Sequence, residues 1–444
     1  AAYFCQDAFL NQLGVSPTFN LLTSVMDDMR PENKYLHLMD EQEAITKAQA
    51  LLNRPGDANV SPLAVYRRAA KADSVQQRRP NVVLIMMESM SAKFMKHFGQ
   101  SETLTPFLDS LYTRSISFRN FYSAGIHTNH GLYATLYSFP AMMKRNLMKG
   151  SVIPRYSGLP TVLKENGYYN LFFMTHEGQY DNMNAFFRTN GYDEVFSQED
   201  YPADKVVNSF GVQDDFLYDY AIPVLNQRAA TGQPFFATLL SISNHPPYVI
   251  PPFFHPKTSE PEMQIVEYAD WALRQFFEEA RKQPWFDNTI FVLEGDHGKL
   301  VGDAECELPE SYNHIPLMIY SSRIQPEEKT AFGGQVDIQP TILGLLNIDY
   351  LQNNFGVDLL KEERPCMFYT ADNMVVGRND TLLYLYNYET QQELTYDIGN
   401  GKLNAVPMDD SFLPLKEYSF SMLQSAEFLV KHGKTLNSIP FTQQ

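Results

Sequence analysis

The sequence predicts an α/β fold with a mostly parallel central sheet flanked by helices on both faces, a small C-terminal antiparallel sheet and an N-terminal helical arm. Three observations predict it. Between about residues 80 and 365, apolar runs of strand length alternate with amphipathic segments of helix length. Beyond residue 366 the runs are short, rich in β-formers and separated by turn residues. Before residue 80 the pattern is helical and then highly charged.

The first 79 residues are predicted to form an arm. Residues 34–53 are rich in Glu, Ala, Gln and Leu, which favours a helix, and RPGDANVSP ends it with Pro and Gly. The charged run RRAAKADSVQQRRP is typical of a solvated connector. The apolar opening suits a segment that leaves a membrane, and an amphipathic helix explains it equally well. Because Ala1 is not a start methionine, we expect an N-terminal membrane region to be missing.

Residues 80–365 are predicted to form the main domain. Continuous apolar strands such as VVLIMM, LFFMT and TIFVLEG, separated by helices, indicate a parallel sheet buried on both faces. In such sheets functional residues collect at the carboxyl ends of the strands. The polar residues at these ends are Glu88, Ser89, His176, Glu177, Asn244, His245, Asp296 and His297. We therefore expect one site at one edge of the sheet.

Residues 366–444 are predicted to form a separate C-terminal unit. The stretch MFYTADNMVVGRNDTLLYLYNYETQQELTYDIGNG contains short strands with turn residues between them, which predicts an antiparallel sheet. The segment LKEYSFSMLQSAEFLVKHG follows it and predicts an amphipathic helix that packs back on the body.

Composition excludes several classes of function. A net charge of −17 and a pI near 5.0 argue against a nucleic-acid-binding protein, which needs clustered Lys and Arg. No apolar run approaches the roughly 20 residues that cross a bilayer. Three cysteines without a CxxC pair exclude a thiolate zinc site. A disulfide between Cys306 and Cys366 and two free thiols remain equally open alternatives.

Two carboxylates and one histidine are candidate metal ligands. Asp296 and His297 in LEGDHGKL directly follow a buried strand, and a carboxylate beside an imidazole is a common way to hold a divalent cation. Glu88 ends the first core strand, where an ionised carboxylate is costly unless a cation or hydrogen-bond donors satisfy it. The alternatives are a turn aspartate beside a surface histidine and a solvent-facing glutamate.

Thr128 is the candidate nucleophile. It lies in SAGIHTNHGLYATLYSFP, where a small polar loop becomes a helix, so free backbone N–H groups would point at an anion beside its hydroxyl. The alternative is that Thr128 only caps the helix.

In order and setting, these segments resemble the sulfatase-like transferases of the alkaline phosphatase superfamily, particularly lipoteichoic acid synthases and related phosphoglycerol transferases. The resemblance spans residues 80 to about 360 and implies their α/β fold. The segments that carry it are NVVLIMMES, TLTPFLDSLYTRSISFRNFYSAG, GLPTVLKENGY, PFFATLLSISNHPPY, YADWALRQFFEEA, NTIFVLEGDHG, HIPLMIYS and VDIQPTILGLLNI.

The resemblance implies that Glu88, Thr128, Asp296 and His297 surround one divalent metal ion, for which we expect Mn²⁺, with Mg²⁺ or Zn²⁺ as alternatives. It also implies that Thr128 is the nucleophile and that the reaction passes through a phosphothreonine. Elementary chemistry agrees, because a threonine hydroxyl is a poor nucleophile until a metal lowers its proton affinity.

The resemblance further implies that His176 and His245 bind the substrate phosphate, with His245 as the acid for the leaving alkoxide. Strand-end capping is the alternative role for both. Lipoteichoic acid synthases carry a Trp and an Arg after the first of these histidines, whereas this chain has EGQYDNMNAFF. That departure puts glycerol-phosphate specificity in doubt.

His314, in YNHIPLMIY, resembles a histidine of phosphoethanolamine transferases. The resemblance implies either substrate binding, with a second metal near His245 and His314, or a hydrogen-bonding role within the site. True sulfatases convert a cysteine or serine to formylglycine, whereas this chain has HTNHG at that place, so sulfate-ester hydrolysis by that route is not expected.

The resemblance thus implies metal-dependent transfer of a phosphoglycerol headgroup from a membrane phospholipid to an extracytoplasmic glycan or polyol hydroxyl. The alternatives are phosphoethanolamine transfer to a lipid or glycan, and hydrolysis of phosphoric esters with water as the acceptor. The expected location is the extracytoplasmic face of the bacterial cell membrane, with anchoring by transmembrane helices that this chain lacks.

Overall fold

A computed structural model of the chain describes residues 35–54, 66–68, 79–150, 152–399 and 401–436. Within them the α-helices are α1 (Glu41–Leu52), α2 (Pro106–Tyr112), α3 (Thr128–Tyr137), α4 (Leu159–Glu165), α5 (Met183–Thr189), α6 (Asp214–Ala230), α7 (Pro261–Ala280), α8 (Ile338–Leu345) and α9 (Leu413–Lys431). The strands are β1 (Tyr66–Arg68), β2 (Asn81–Met87), β3 (Ile116–Tyr122), β4 (Tyr169–Met174), β5 (Glu194–Phe196), β6 (Phe235–Leu240), β7 (Thr289–Gly295), β8 (Leu317–Tyr320), β9 (Glu327–Gly334), β10 (Leu351–Asn353), β11 (Met367–Thr370), β12 (Met374–Arg378), β13 (Leu382–Asn387), β14 (Gln392–Gly399) and β15 (Lys402–Ala405).

The central sheet has eight strands in the order β5-β4-β6-β2-β7-β8-β3-β9. Strand β8 runs antiparallel to both of its neighbours, and the remaining pairs are parallel. Every residue of β2, β6 and β7 is buried, which explains why these strands are continuously apolar in sequence. The predicted fold class is therefore confirmed.

Helices cover both faces of this sheet, and β2 divides the core between them. Val82, Leu84 and Met86 pack on the face covered by α3, α4, α5 and α8. Val83 and Ile85 pack on the opposite face, against α2, α6 and α7. This alternation follows from the two-residue side-chain period of a strand.

The C-terminal unit is a five-stranded antiparallel sheet in the order β11-β12-β13-β14-β15, with α9 packed on β11 and β12. The described part of the N-terminal arm packs on the same helix. The backbone N–H of Leu36 donates to Glu427 of α9, and that of Leu38 donates to Gln424 at 2.7 Å. Strand β1 pairs with β10. The apolar opening segment, residues 1–22, lies outside the described residues.

Cys306 and Cys366 are free thiols, so the predicted alternative of a disulfide between them is not observed. The Cys306 thiol donates to the carbonyl of Leu308. Among the helices that the structure describes, none is long and apolar enough to cross a membrane.

Candidate functional site

The strand register brings Glu88 and Asp296 together. Parallel strands β2 and β7 align Met87 with Gly295, so the residues that follow leave the sheet side by side. Strand β6 lies on the other side of β2, and β4 lies beyond β6. The carboxyl ends of these four strands therefore meet at one edge, as the sequence predicted.

Ser89 fixes the geometry of the two carboxylates. Its backbone N–H donates to Asp296 Oδ1 at 2.8 Å, and its hydroxyl donates to Glu88 Oε1 at 2.7 Å. The N–H of His297 also donates to Asp296 Oδ1, at 2.7 Å. Ser89 adopts φ 50°, a left-handed conformation that costs a non-glycine residue about 1–2 kcal/mol. Such strain is typical of residues held in place at functional sites.

Glu88, Asp296 and His297 fit a divalent cation. Each offers a ligand atom, and these atoms lie within 4.8 Å of one another. Asp296 Oδ2 is buried and has no hydrogen-bond partner. Burial, together with the charge of Asp296, raises the pKa of Glu88 well above its usual range. A cation between the two carboxylates would relieve both costs, and the carboxylate and imidazole donors suit Mn²⁺, Mg²⁺ or Zn²⁺.

The hydrogen bonds of His297 leave one ring nitrogen for a ligand. Its Nδ1 lies 2.7 Å from the carbonyl oxygen of Gly298, which can only accept, so Nδ1 carries the proton. Its Nε2 lies 3.8 Å from Glu88 Oε1 and 3.7 Å from Asp296 Oδ2. Imidazoles that bind metals through Nε2 are commonly held through Nδ1 in this way.

Thr128 is the first residue of α3 and points its hydroxyl at this cluster. Its Oγ1 donates to Glu88 Oε2 at 3.4 Å. His127 occupies the N-cap position and makes no side-chain cap hydrogen bond, so the alternative of Thr128 as the cap does not describe the structure. The partial positive charge of a helix N-terminus favours an anion beside this hydroxyl.

Helix α3 is held against the strand that carries Asp296. The side-chain nitrogen of Gln335 donates to the carbonyl of Asp296 at 2.7 Å, while its oxygen accepts from the N–H of Ala124 at 2.8 Å. Gly131 of α3 faces the same carbonyl, because a Cβ at this position would lie 2.3 Å from it and 2.9 Å from the Gln335 nitrogen. This close approach keeps Thr128 near the carboxylates.

Replacing Gly131 with alanine is therefore expected to destabilise the protein by about 1–3 kcal/mol through overpacking. In an open helix the same change would stabilise by up to about 1 kcal/mol, so the sign of the effect tests the contact. Thermal unfolding with and without Mn²⁺ measures it, and Gly131→Ser should lose at least as much. An increase in melting temperature for Gly131→Ala would contradict the close packing.

His176 and His245 lie at the same edge and share the arrangement of His297. In each, Nδ1 faces the carbonyl of the next residue, at 3.1 Å to Glu177 and 2.6 Å to Pro246. Burial lowers the pKa of both imidazoles, so they are neutral at pH 7. His176 is buried beside Tyr180, and half-buried His245 packs on Phe210. In the described structure the recorded hydrogen bond of each ring is made by Nδ1, not by Nε2.

The structure does not bring His314 to this group. Its Nε2 lies 2.8 Å from the carbonyl oxygen of Arg119, and its ring stacks on Tyr122 and meets the edge of Phe98. Neither His245 nor a member of the carboxylate cluster is among these contacts. Over the described residues, the group of Glu88, Asp296 and His297 is the one cluster with a metal-binding arrangement, so a second metal near His245 and His314 has no support.

Lys299 is a site residue that the sequence analysis did not single out. Its ammonium donates to Asn244 Oδ1 at 2.7 Å and to the hydroxyl of Tyr248 at 3.1 Å. Asn244 in turn donates to the carbonyl of Ser89 at 3.1 Å. Burial lowers the pKa of Lys299 to about 8, so the ammonium is mostly protonated at pH 7. Its position two residues after the Asp-His pair was the available signal.

The C-terminal unit and the segment after His176 also contact the start of helix α3. Asp372, in the turn between β11 and β12, lies 2.6 Å from Nε2 of His127. Asn129 donates to Asp181 at 3.4 Å, in the segment where the Trp and Arg of the lipoteichoic acid synthase pattern are missing. Asp372 lies more than 240 residues from His127, so no local pattern could have revealed the contact.

Comparisons with known proteins identify the family and the fold of this chain. A family model described as Sulfatase matches residues 80–348. Lipoteichoic acid synthase 2 of Bacillus subtilis is 24% identical over 315 residues, which cover 64% of this chain and 47% of that protein. This chain thus spans about half the length of the curated relatives it matches.

Two solved structures share the fold. A protein of the alkaline phosphatase superfamily from Vibrio parahaemolyticus superposes with a TM-score of 0.80 and 26% identity, covering 91% of this chain and 99% of that one. The lipoteichoic acid synthase LtaP of Listeria monocytogenes has a TM-score of 0.69 and 21% identity, covering 80% and 93%. The described edge of the sheet therefore lies within a fold shared with a member of the alkaline phosphatase superfamily and with a lipoteichoic acid synthase.

Proposed function

Because this chain belongs to the sulfatase family, we propose that it is a phosphotransferase that moves a phosphoglycerol headgroup from a membrane phospholipid to a glycan or polyol hydroxyl. The proposal includes a phosphothreonine at Thr128 and one divalent metal held by Glu88, Thr128, Asp296 and His297. We place the reaction at the extracytoplasmic face of a bacterial membrane, with N-terminal transmembrane anchoring as part of the proposal. We also propose residues 80–365 as the catalytic domain, with the arm (1–79) and the C-terminal unit (366–444) as its additions.

One observation carries the proposal: the hydroxyl of Thr128, at a helix N-terminus, lies 3.4 Å from a carboxylate of the cluster that fits a cation. A merely structural threonine would be expected to bond to backbone. When bound, the cation would lower the proton affinity of a neighbouring hydroxyl and neutralise charge on phosphoryl oxygens. Donors fixed before the reaction begins are the usual source of such stabilisation.

The chain's own residues account for two displacements. Thr128 loses its proton to solvent, its Oγ1 bonds to phosphorus, and the bond from phosphorus to the diacylglycerol oxygen breaks. His245, once protonated at Nε2, gives that oxygen its proton. The acceptor hydroxyl then returns a proton to His245 Nε2 and attacks phosphorus. The bond from phosphorus to Thr128 breaks, and Oγ1 leaves as the alkoxide from which the next cycle starts. His176 would hold a phosphoryl oxygen during both steps.

Intact-protein mass spectrometry after rapid acid quenching tests this proposal. Wild type, Thr128→Ala and Thr128→Ser are incubated with Mn²⁺ and vesicles of phosphatidylglycerol or phosphatidylethanolamine. We expect a phosphoglycerol adduct on wild type and Thr128→Ser, and none on Thr128→Ala. Thr113→Ala, at the exposed end of α2, is the matched control and should keep the adduct.

Other outcomes of this experiment would support one of the alternative functions. A phosphoethanolamine adduct alone would replace the proposed donor with phosphatidylethanolamine. Release of free glycerol phosphate, with water as the acceptor in the presence of candidate glycans, would indicate a phosphodiesterase. Metal-loaded wild type that forms no adduct and releases no product would refute the proposal.

A further inference from the structure

Lys299 carries a positive charge that no described ion pair neutralises, although the charges of Glu262 and Glu88 act on it at longer range. Its side chain lies against the rings of Phe94 and Tyr248, with Nζ 5.4 Å and 4.8 Å from their centroids. Its two hydrogen-bond partners, the Asn244 side-chain oxygen and the Tyr248 hydroxyl, are both neutral. No described carboxylate forms an ion pair with it, whereas most other described lysines at helix and loop surfaces have one. A partly buried cation without an anion is costly.

The position of this charge is fixed relative to the carboxylate cluster. Asn244 uses its nitrogen to donate to the carbonyl of Ser89, so its oxygen must face Lys299. The N–H of Ser89 in turn donates to Asp296 Oδ1. The Asn244 side chain thus connects Lys299 to the turn that carries Glu88, and Asn244 itself precedes His245 in the chain.

An ammonium has three N–H donors, and two of those of Lys299 have partners in the protein. The remaining donor and the ammonium charge, which has no ion-pair partner, suit an anionic oxygen. At this edge of the sheet the proposed ligand is a phosphoryl group. A phosphodiester carries one negative charge, which matches the one positive charge of Lys299. The aromatic rings around the side chain strengthen such a bond by excluding water.

We propose that Lys299 is a substrate-binding residue that holds the charged oxygen of a phosphodiester beside Thr128. This inference rests on the proposed function for the identity of the substrate. The competing explanation is structural, in which Lys299 serves only to hold Asn244 and Tyr248 in place.

Binding of a soluble headgroup diester separates these explanations. The probe is sn-glycero-3-phosphoglycerol, titrated by calorimetry into Mn²⁺-loaded Thr128→Ala, which cannot form the adduct. Adding Lys299→Met should weaken binding about tenfold or more, because a hydrogen bond from a charged group is lost. Lys299→Arg should recover most of the affinity, and Lys299→Gln, which keeps polar contacts without charge, should not.

Controls test whether the loss of diester affinity is specific to Lys299. Lys96→Met removes an exposed lysine elsewhere and should leave the affinity unchanged. Mn²⁺ stoichiometry and melting temperature should be the same in the Lys299 variants and their parent. Tyr248→Phe removes one partner of the ammonium but keeps the charge, so it should cost much less than Lys299→Met.

Several results would overturn the inference. Unchanged affinity in Lys299→Met, recovery by Lys299→Gln, or no diester binding to Thr128→Ala at all would each do so. A loss of attachment to phosphatidylglycerol vesicles with unchanged affinity for the soluble diester would place Lys299 at the bilayer surface instead. The proposed function is tested by a different measurement, and it fails if wild type forms no adduct at Thr128.

Discussion

Asp296→Asn is expected to lose the divalent metal while keeping the fold. The two oxygens of Asp296 have different partners: Oδ1 accepts from the N–H groups of Ser89 and His297, whereas buried Oδ2 has none. The asparagine carbonyl can keep both accepted hydrogen bonds, which puts the amide nitrogen in place of Oδ2. That nitrogen is a donor and does not ligate cations, so the substitution changes the one atom left for a ligand.

The expected loss of metal affinity in Asp296→Asn follows from the usual cost of removing a ligand. Removing a residue that only supports a ligand costs about 10–100-fold in affinity, so losing the ligand itself should cost more than about 100-fold. Thermal unfolding and metal analysis measure it. At a metal concentration 100 times the dissociation constant, binding stabilises wild type by about 2.7 kcal/mol, and the variant should show no such gain.

Without metal the order of stabilities should reverse or become equal. The charge of Asp296 raises the pKa of Glu88, which means that the two buried carboxylates repel. Asp296→Asn removes this repulsion, so in EDTA the variant should melt at or above the temperature of wild type. Asp358 is a buried carboxylate that pairs with Lys361 and is not part of the cluster, so Asp358→Asn should keep the Mn²⁺-dependent gain. Equal Mn²⁺ gains in wild type and Asp296→Asn would rule out this ligand set.

The central sheet and the carboxylate cluster could be predicted from the sequence. Buried parallel strands are continuously apolar, and the first polar residue after each marks the edge where they end, which is why Glu88, Asp296 and His297 could be predicted together. Thr128 was a weaker inference from the chain itself, because a threonine at a helix start is usually a cap. Its role was supplied by the resemblance.

Side-chain direction and long-range contacts were not available from sequence. His314 precedes β8 at the correct edge, yet its ring turns to the carbonyl of Arg119 because Tyr122 and Phe98 offer it an aromatic pocket. Gln335 reaches the site only through hydrogen bonds to residues that are distant in sequence, and the contact of Lys299 with Asn244 also spans 55 residues. Such contacts are set by tertiary packing, which leaves no local period or motif to detect.

Arg364→Met is expected to destabilise the folded protein by about 3–5 kcal/mol, because it would leave the buried carboxylate of Asp337 without its cation. Both side chains of this ion pair are at most 1% exposed. Arg364 Nε donates to Asp337 Oδ2 at 2.9 Å, and the guanidinium also donates to the carbonyl of Phe355 and to the hydroxyl of Tyr418 on α9. The pair thus joins the start of α8 to the C-terminal unit.

The midpoint of urea unfolding measures this effect, and graded variants identify its cause. Tyr418→Phe removes one hydrogen bond and should cost about 1 kcal/mol. Arg364→Lys keeps the charge but loses the fork that contacts Asp337 through two nitrogens, so its loss should lie between these values. Asp337 also accepts from the N–H groups of Gly334 and Val357, so combining Arg364→Met with Asp337→Leu should recover only part of the stability. A loss below about 1 kcal/mol for Arg364→Met would mean that the backbone donors alone satisfy Asp337, and that packing of α9, rather than this ion pair, holds the C-terminal unit in place.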